Sequence, residues 1–242
     1  MSEGVPTIVL VHGAGHTSLV WHAVQGHLRH PSVAVDLPGR RDRPADITSV
    51  TIDAAAESVA HDLDTVDGHR VVLVGHSAGG IVLPALAALL GDRVDHLVFV
   101  AGLCAPDGGR AIDFVIPGRS DAVVGRLDDL RAEYAGHMFE PLGPAAAATP
   151  VIEDTRLAAN IDSLNYITQV MSWVGVSDEI ERTFVRSLRD PIQSRELQDQ
   201  LAVNCAASTV VDIEARHTAA VDAPAALAAI LDAIAGHHDD VG

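Results

Sequence analysis

The stretch Val71-Val72-Leu73-Val74-Gly75-His76-Ser77-Ala78-Gly79 decides how this chain is read. Its unbroken run of β-branched and aliphatic residues predicts a strand buried on both faces. The run ends in G-x-S-x-G, and the apolar residues that follow predict a helix from about Ala78 to Leu90. A strand, a tight turn and a helix around one serine form the nucleophile-elbow signature. The spacing has a steric reason. Glycine two residues before and two after the serine lets the strand and helix backbones approach with no Cβ between them. The helix then points its first amides toward the place where negative charge develops in acyl transfer.

Reading outward, an early strand from Thr7 to Val11 runs into His12-Gly13-Ala14-Gly15. An elbow of this kind draws one oxyanion donor from the residue after the nucleophile and a second from the loop after an early strand. The backbone amides of Ala78 and Ala14 are the expected pair. A serine hydroxyl needs a base to act at neutral pH. His217 stands between the run Thr209 to Ile213 and a helical pattern from Asp222 to Ile234, on a loop at the carboxyl end of a strand, where catalytic groups of open α/β sheets collect. Asp190, in Asp190-Pro191 after the run Thr183 to Leu188, completes the order serine, acid, histidine. Asp107, in Ala105-Pro106-Asp107-Gly108 after another strand, is the rival acid. With thirteen histidines in the chain, one on a late loop is unremarkable by count. His12, His16 and His76 flank the same place, in positions that suit packing, hydrogen bonding or pocket lining.

Strands near 7–12, 32–36, 70–75, 96–102, 183–188 and 208–213 alternate with helices, the first two expected at Leu19 to Arg29 and Ile52 to Val66. That rhythm predicts an α/β protein with a mostly parallel sheet and helices on both faces. The core covers residues 1–105 and 182–242, and residues 106–181 break the pattern with several short helices. Five of the eight aromatic residues fall in that insertion: Phe114, Tyr134, Phe139, Tyr166 and Trp173.

The chain resembles the α/β-hydrolases over nearly its whole length, and within them the small esterase branch that includes plant methylesterases and hydroxynitrile lyases. The likeness is carried by His12-Gly13-Ala14-Gly15-His16 with Trp21, by Val35-Asp36-Leu37-Pro38-Gly39, by the serine motif, by Leu97 to Ala101 leading to Ala105-Pro106-Asp107, and by Asp190 and His217. The resemblance implies a Ser77-His217-Asp190 triad and a helical cap over the active site at residues 106–181. His16, Tyr134, Trp173 and the methionines Met138 and Met171 would then line an apolar pocket, with Arg110, Arg119 and Arg156 as candidates for a substrate carboxylate. It also implies cleavage of a small or medium apolar carboxylic ester or lactone through an acyl-enzyme. Two departures matter. Lyases of this branch hold cyanide with a lysine beside the catalytic histidine, but Thr218 follows His217 and all sixteen basic residues are arginine. The glycine usual before that histidine is Arg216.

Composition narrows the field further. A net charge of −17 over 242 residues disfavours nucleic acid and anionic membranes as partners. Two cysteines, Cys104 and Cys205, suggest neither a disulfide framework nor a metal site. No cofactor is expected, and the start of the chain lacks the pattern of a secretion signal, so a cytoplasmic protein acting on a small molecule is anticipated. Against dinucleotide binding, Gly13-Ala14-Gly15 is followed by Ser18 where a third glycine belongs, although Asp36 stands near the position of a ribose-binding acid. A non-hydrolytic lyase and a small-molecule binder on the same scaffold stay open.

Overall fold

The computed structural model describes residues 5–40, 43–64, 70–118, 120–129 and 162–237. Six strands form one sheet in the order β2-β1-β3-β4-β5-β6. They are β1 (Thr7–Val11), β2 (Ser32–Val35), β3 (Val71–His76), β4 (Val94–Val100), β5 (Glu181–Ser187) and β6 (Thr209–Ile213). All neighbouring pairs are parallel. The four longest helices among the described residues are α1 (Ile52–Leu63), α2 (Leu83–Leu90), α3 (Arg195–Asn204) and α4 (Pro224–His237).

Successive side chains of a strand point to opposite faces, and the sheet is covered on both. Val9, Val11, Leu73 and Phe99 pack with residues of α1, α2 and α3. Ile8, Leu10, Val72, Val74 and Val98 pack with Trp21, Val24 and the α4 residues Leu227 and Leu231. Double coverage is why the central strands β1, β3 and β4 are fully buried along their length, and why they read as continuous apolar runs.

Helix boundaries depart from the sequence expectation in three places. The chain after Ser77 first makes a 3-10 turn (Ser77–Ile81), and α2 begins only at Leu83, with Gly79 packed tightly on Val11 and His12 and Gly80 on Phe99 and Leu103. The crossover expected over Leu19 to Arg29 shrinks to Ser18–Trp21 and one helical turn, His22–Gln25, closed by Gly26. The last helix starts at Pro224, a residue suited to the first helical position, after a separate turn at Ala219–Asp222.

After β1 the chain crosses to β2 on one side, and β3 returns on the other side of β1. The carboxyl ends of β1 and β3 therefore border the crevice where connections diverge, the usual ligand position in open α/β sheets.

Candidate active site

At that crevice three backbone segments meet too closely for side chains. A Cβ on Gly75 would lie 2.8 Å from the Gly79 carbonyl, and one on Gly79 would lie 2.6 Å from the His12 carbonyl oxygen and 2.7 Å from that of Val11. The serine between them has φ of 48°, in the left-handed region, which costs a non-glycine residue on the order of 1 kcal/mol or more. Contacts on both sides hold it there. The Ser77 carbonyl accepts the Leu103 N–H at 2.8 Å, and a Cβ on Gly13 would come within 3.0 Å of the Ser77 Cβ.

The strained serine faces His217. Ser77 Oγ lies 2.9 Å from His217 Nε2, and His217 Nδ1 lies 2.6 Å from Asp190 Oδ2. In the neutral ring, the proton on Nδ1 is donated to the carboxylate, which leaves Nε2 to accept the serine hydroxyl. The Asp190 side chain is fully buried, and its other oxygen accepts the N–H groups of Ile192 and Gln193 at 2.8 and 3.0 Å. A carboxylate so occupied cannot rotate away. Gln193 in turn donates to the Ala101 carbonyl at 3.0 Å. Gln198 bridges the N–H and C=O of Ser187 and the Gln193 carbonyl.

Arg216, where the resemblance leads one to expect glycine, grips Asp222 through its backbone N–H and through Nε and Nη2 on one edge of its guanidinium at 2.6 to 2.9 Å. The loop is braced from outside while His217 keeps its two partners. Asp107 lies elsewhere: its carboxylate accepts the Trp173 N–H at 2.8 Å. Asp36 accepts the Ser18 N–H at 2.6 Å, a structural role that weakens the dinucleotide reading.

The remaining histidines form a buried cage behind the serine. His12 donates to the Gly13 carbonyl and accepts the Leu37 N–H. His76 donates from Nε2 to the His217 carbonyl at 3.0 Å, and its ring centroid lies 5.1 Å from that of His217 and 5.7 Å from that of His16. Burial pushes His12 and His76 well below the ordinary imidazole range. His16 falls to about 4, chiefly through burial, with help from the charges of His217 and Arg40 and against the pull of Asp162. His16 Nδ1 has no hydrogen-bond partner among the described residues.

The pocket-lining residues expected from the insertion fare unevenly. Tyr134, Met138, Phe139, Arg119 and Arg156 lie outside the described residues. Trp173 donates its indole N–H to the Ala105 carbonyl at 3.0 Å, and the Arg182 guanidinium lies 4.4 Å above its ring. Arg110 is held by Asp113 and Asp121, and Met171 is buried with its sulfur on the Ala105 N–H. Residues the sequence did not single out include Gln193, Gln198, Arg40 and Asp162, all buried within this polar framework.

Among the described residues no helix is long and apolar enough to cross a membrane, and no cluster of side chains suits a metal ion.

The profile of the alpha/beta hydrolase family matches residues 8–230. The chain is similar to lipase LipV of Mycobacterium tuberculosis, 33% identical over 168 residues, a match covering 67% of this chain and 60% of the lipase. It is also similar to methylesterase 18 of Arabidopsis thaliana, 26% identical over 251 residues and covering 89% of this chain and 92% of that one. Among solved structures, a pyrethroid hydrolase from Sphingobium faniae JZ-2 superposes with a TM-score of 0.72 at 22% identity, covering 96% of this chain and 98% of its own. With a sheet of this topology, a strained serine at its switch point and a family match over most of its length, the chain belongs to the alpha/beta hydrolase family.

Proposed function

We propose that the protein is a serine hydrolase that cleaves a small or medium apolar carboxylic ester or lactone through an acyl-enzyme. The observation that carries this reading is the hydrogen-bonded chain from Ser77 Oγ through His217 to the buried Asp190. In the proposed sequence Ser77 Oγ attacks the carbonyl carbon as His217 Nε2 takes its proton, and Asp190 stabilises the imidazolium. The tetrahedral oxyanion is met by the Ala14 and Ala78 amides. Collapse expels the alcohol, which receives the proton from His217; for a lactone the alcohol stays tethered to the acyl group. Water, deprotonated by His217, then releases the acid.

The similarity to a lipase and a methylesterase supports an ester as substrate. Residues 106–181 are proposed as the cap that walls the pocket, with His16 beneath it. The free, buried thiols of Cys104 and Cys205 agree with a reducing, cytoplasmic setting.

The test is intact-protein mass after exposure to a fluorophosphonate, for wild type, Ser77→Ala and His217→Ala. One adduct on wild type and none on the variants is expected, followed by turnover of short-chain nitrophenyl esters or lactones. A folded wild type that takes no adduct overturns the hydrolytic reading in favour of a binder or lyase.

A further inference from the structure

Two charges are buried beside the site without taking part in the triad. Arg40 and Asp162 are 1% and 2% exposed, and they lie 122 residues apart in sequence. A buried ion pair gains little over apolar packing of the same volume, so it is weak as a device for stability alone. The hydrogen bonds of this pair converge on one short segment. Asp162 Oδ2 accepts the Gly15 N–H at 2.6 Å, Asp162 Oδ1 pairs with Arg40 Nη2, and Arg40 Nε donates to the His16 carbonyl at 2.8 Å. One clamp therefore grips the two residues that directly follow Ala14.

That loop needs a clamp. Gly15 sits at φ of 71° with open space where its side chain would be, so no steric contact of its own fixes the peptide plane before it. The hydrogen bond to Asp162 holds the amide next to that of Ala14. The other side of Ala14 is already fixed by Gly13, which is pressed against Ser77 and His76.

We propose that Arg40 and Asp162 are positioning residues that aim the Ala14 amide at the oxyanion. The inference rests on the hydrolytic reading above. Its charge logic is as specific as its geometry. A lone carboxylate on the oxyanion loop repels the developing negative charge, and Arg40 neutralises it while holding the neighbouring carbonyl. Asp162 comes from the segment between β4 and β5, and Arg40 follows β2.

The test compares wild type with Asp162→Asn, Asp162→Glu and Arg40→Met. Readouts are kcat and KM on a nitrophenyl ester, the rate ratio of that ester to its thiono (C=S) analogue, and melting temperature, with rates normalised to sites titrated by a fluorophosphonate. Sulfur accepts amide hydrogen bonds weakly, so the ratio reports how well the oxyanion hole is aimed. The expected result for Asp162→Asn and Arg40→Met is a fall in kcat of about 10- to 100-fold, with KM changed less than about threefold and the ester-to-thionoester ratio falling in step with kcat. Asp162→Glu, which keeps the charge, recovers part of both. A fall in both substrates with an unchanged ratio, or unchanged kcat in a folded Asp162→Asn, overturns the positioning role. Absence of turnover by wild type overturns the hydrolytic reading and this inference with it, so the two failures are told apart by the wild-type control.

Discussion

The turns that carry Ser77 and Asp190 leave strands on either side of β4, yet they are built on opposite principles. The serine turn is fixed by backbone pressed on backbone, where the space left for a Cβ at Gly75 and Gly79 is nil. The aspartate turn is fixed by long polar side chains, Gln193 and Gln198, that bond to backbone groups of β5, of the turn itself and of Ala101, the residue after β4. The first is a local arrangement and leaves a local signature in five residues. The second depends on side chains arriving from a following helix and leaves no signature of its own. A reacting atom on a strained backbone tolerates no side-chain slack, whereas an orienting carboxylate tolerates a support that flexes.

The comparison is broken most directly at Gly79. Alanine there sets a Cβ against the carbonyl oxygens of Val11, the last residue of β1, and of His12, and β1 cannot yield because Val11 is in register with Gly75 of β3. Gly79→Ala is expected to destabilise the fold by about 3 kcal/mol and to leave less than about 1% of turnover, measured by urea unfolding and ester hydrolysis. Wild-type stability with full turnover would mean that the close approach is not what holds the serine.

Next in size is the acid itself. Asp190→Asn is expected to lower kcat by roughly 10³- to 10⁴-fold, since the amide favours the wrong imidazole tautomer, with the melting temperature little changed. Asp107→Asn, which touches only the Trp173 N–H, should change kcat less than about twofold, as surface changes usually do. The opposite ranking would move the acid to the loop after β4.

A smaller effect probes the polar support. Gln198→Leu keeps the volume but leaves the N–H and C=O of Ser187 and the Gln193 carbonyl without these bonds at a site 1% exposed. The expected cost is about 2 kcal/mol of stability, with a fall in kcat of about tenfold because Asp190 keeps its two backbone donors. If stability falls and kcat does not, the aspartate turn is rigid by itself and the contrast with the serine turn disappears.

The same contrast explains what could be read from the sequence. Strands β1, β3 and β4 were legible because burial on both faces makes them apolar runs, β2, β5 and β6 through their β-branched residues, and the serine, Asp190 and His217 because each follows a strand. The helix starts were less so: the 3-10 turn holds Gly79 against Val11 and His12, about seventy residues away in sequence, and Gly80 against Phe99 and Leu103, partners that no local pattern encodes. Arg40 and Asp162 were invisible for a related reason. Their partners are the Gly15 N–H and the His16 carbonyl, and a backbone group carries no residue identity for a motif to display. The same holds for Trp173, whose aromatic character says nothing of the Ala105 carbonyl to which its indole N–H donates.

Acidification separates the two turns by another route. His12, His16 and His76 crowd the serine side as neutral rings whose pKa values burial has lowered. In the unfolded chain each takes up a proton as pH falls through about 6.5, whereas folded His16 does so only near 4. Between those values the unfolded state binds more protons, so stability must fall as pH falls. Above pH 6.5 the contribution is flat. For His16 alone the slope is on the order of 1 kcal/mol per pH unit. Urea midpoints of wild type and His16→Gln between pH 7.5 and 4.5 check the sign: the variant should lose part of the acid slope while matching wild type in shape above neutrality. An unchanged slope would mean that folded His16 accepts its proton as readily as the unfolded chain does, and that the serine side is wetter than its close backbone packing requires.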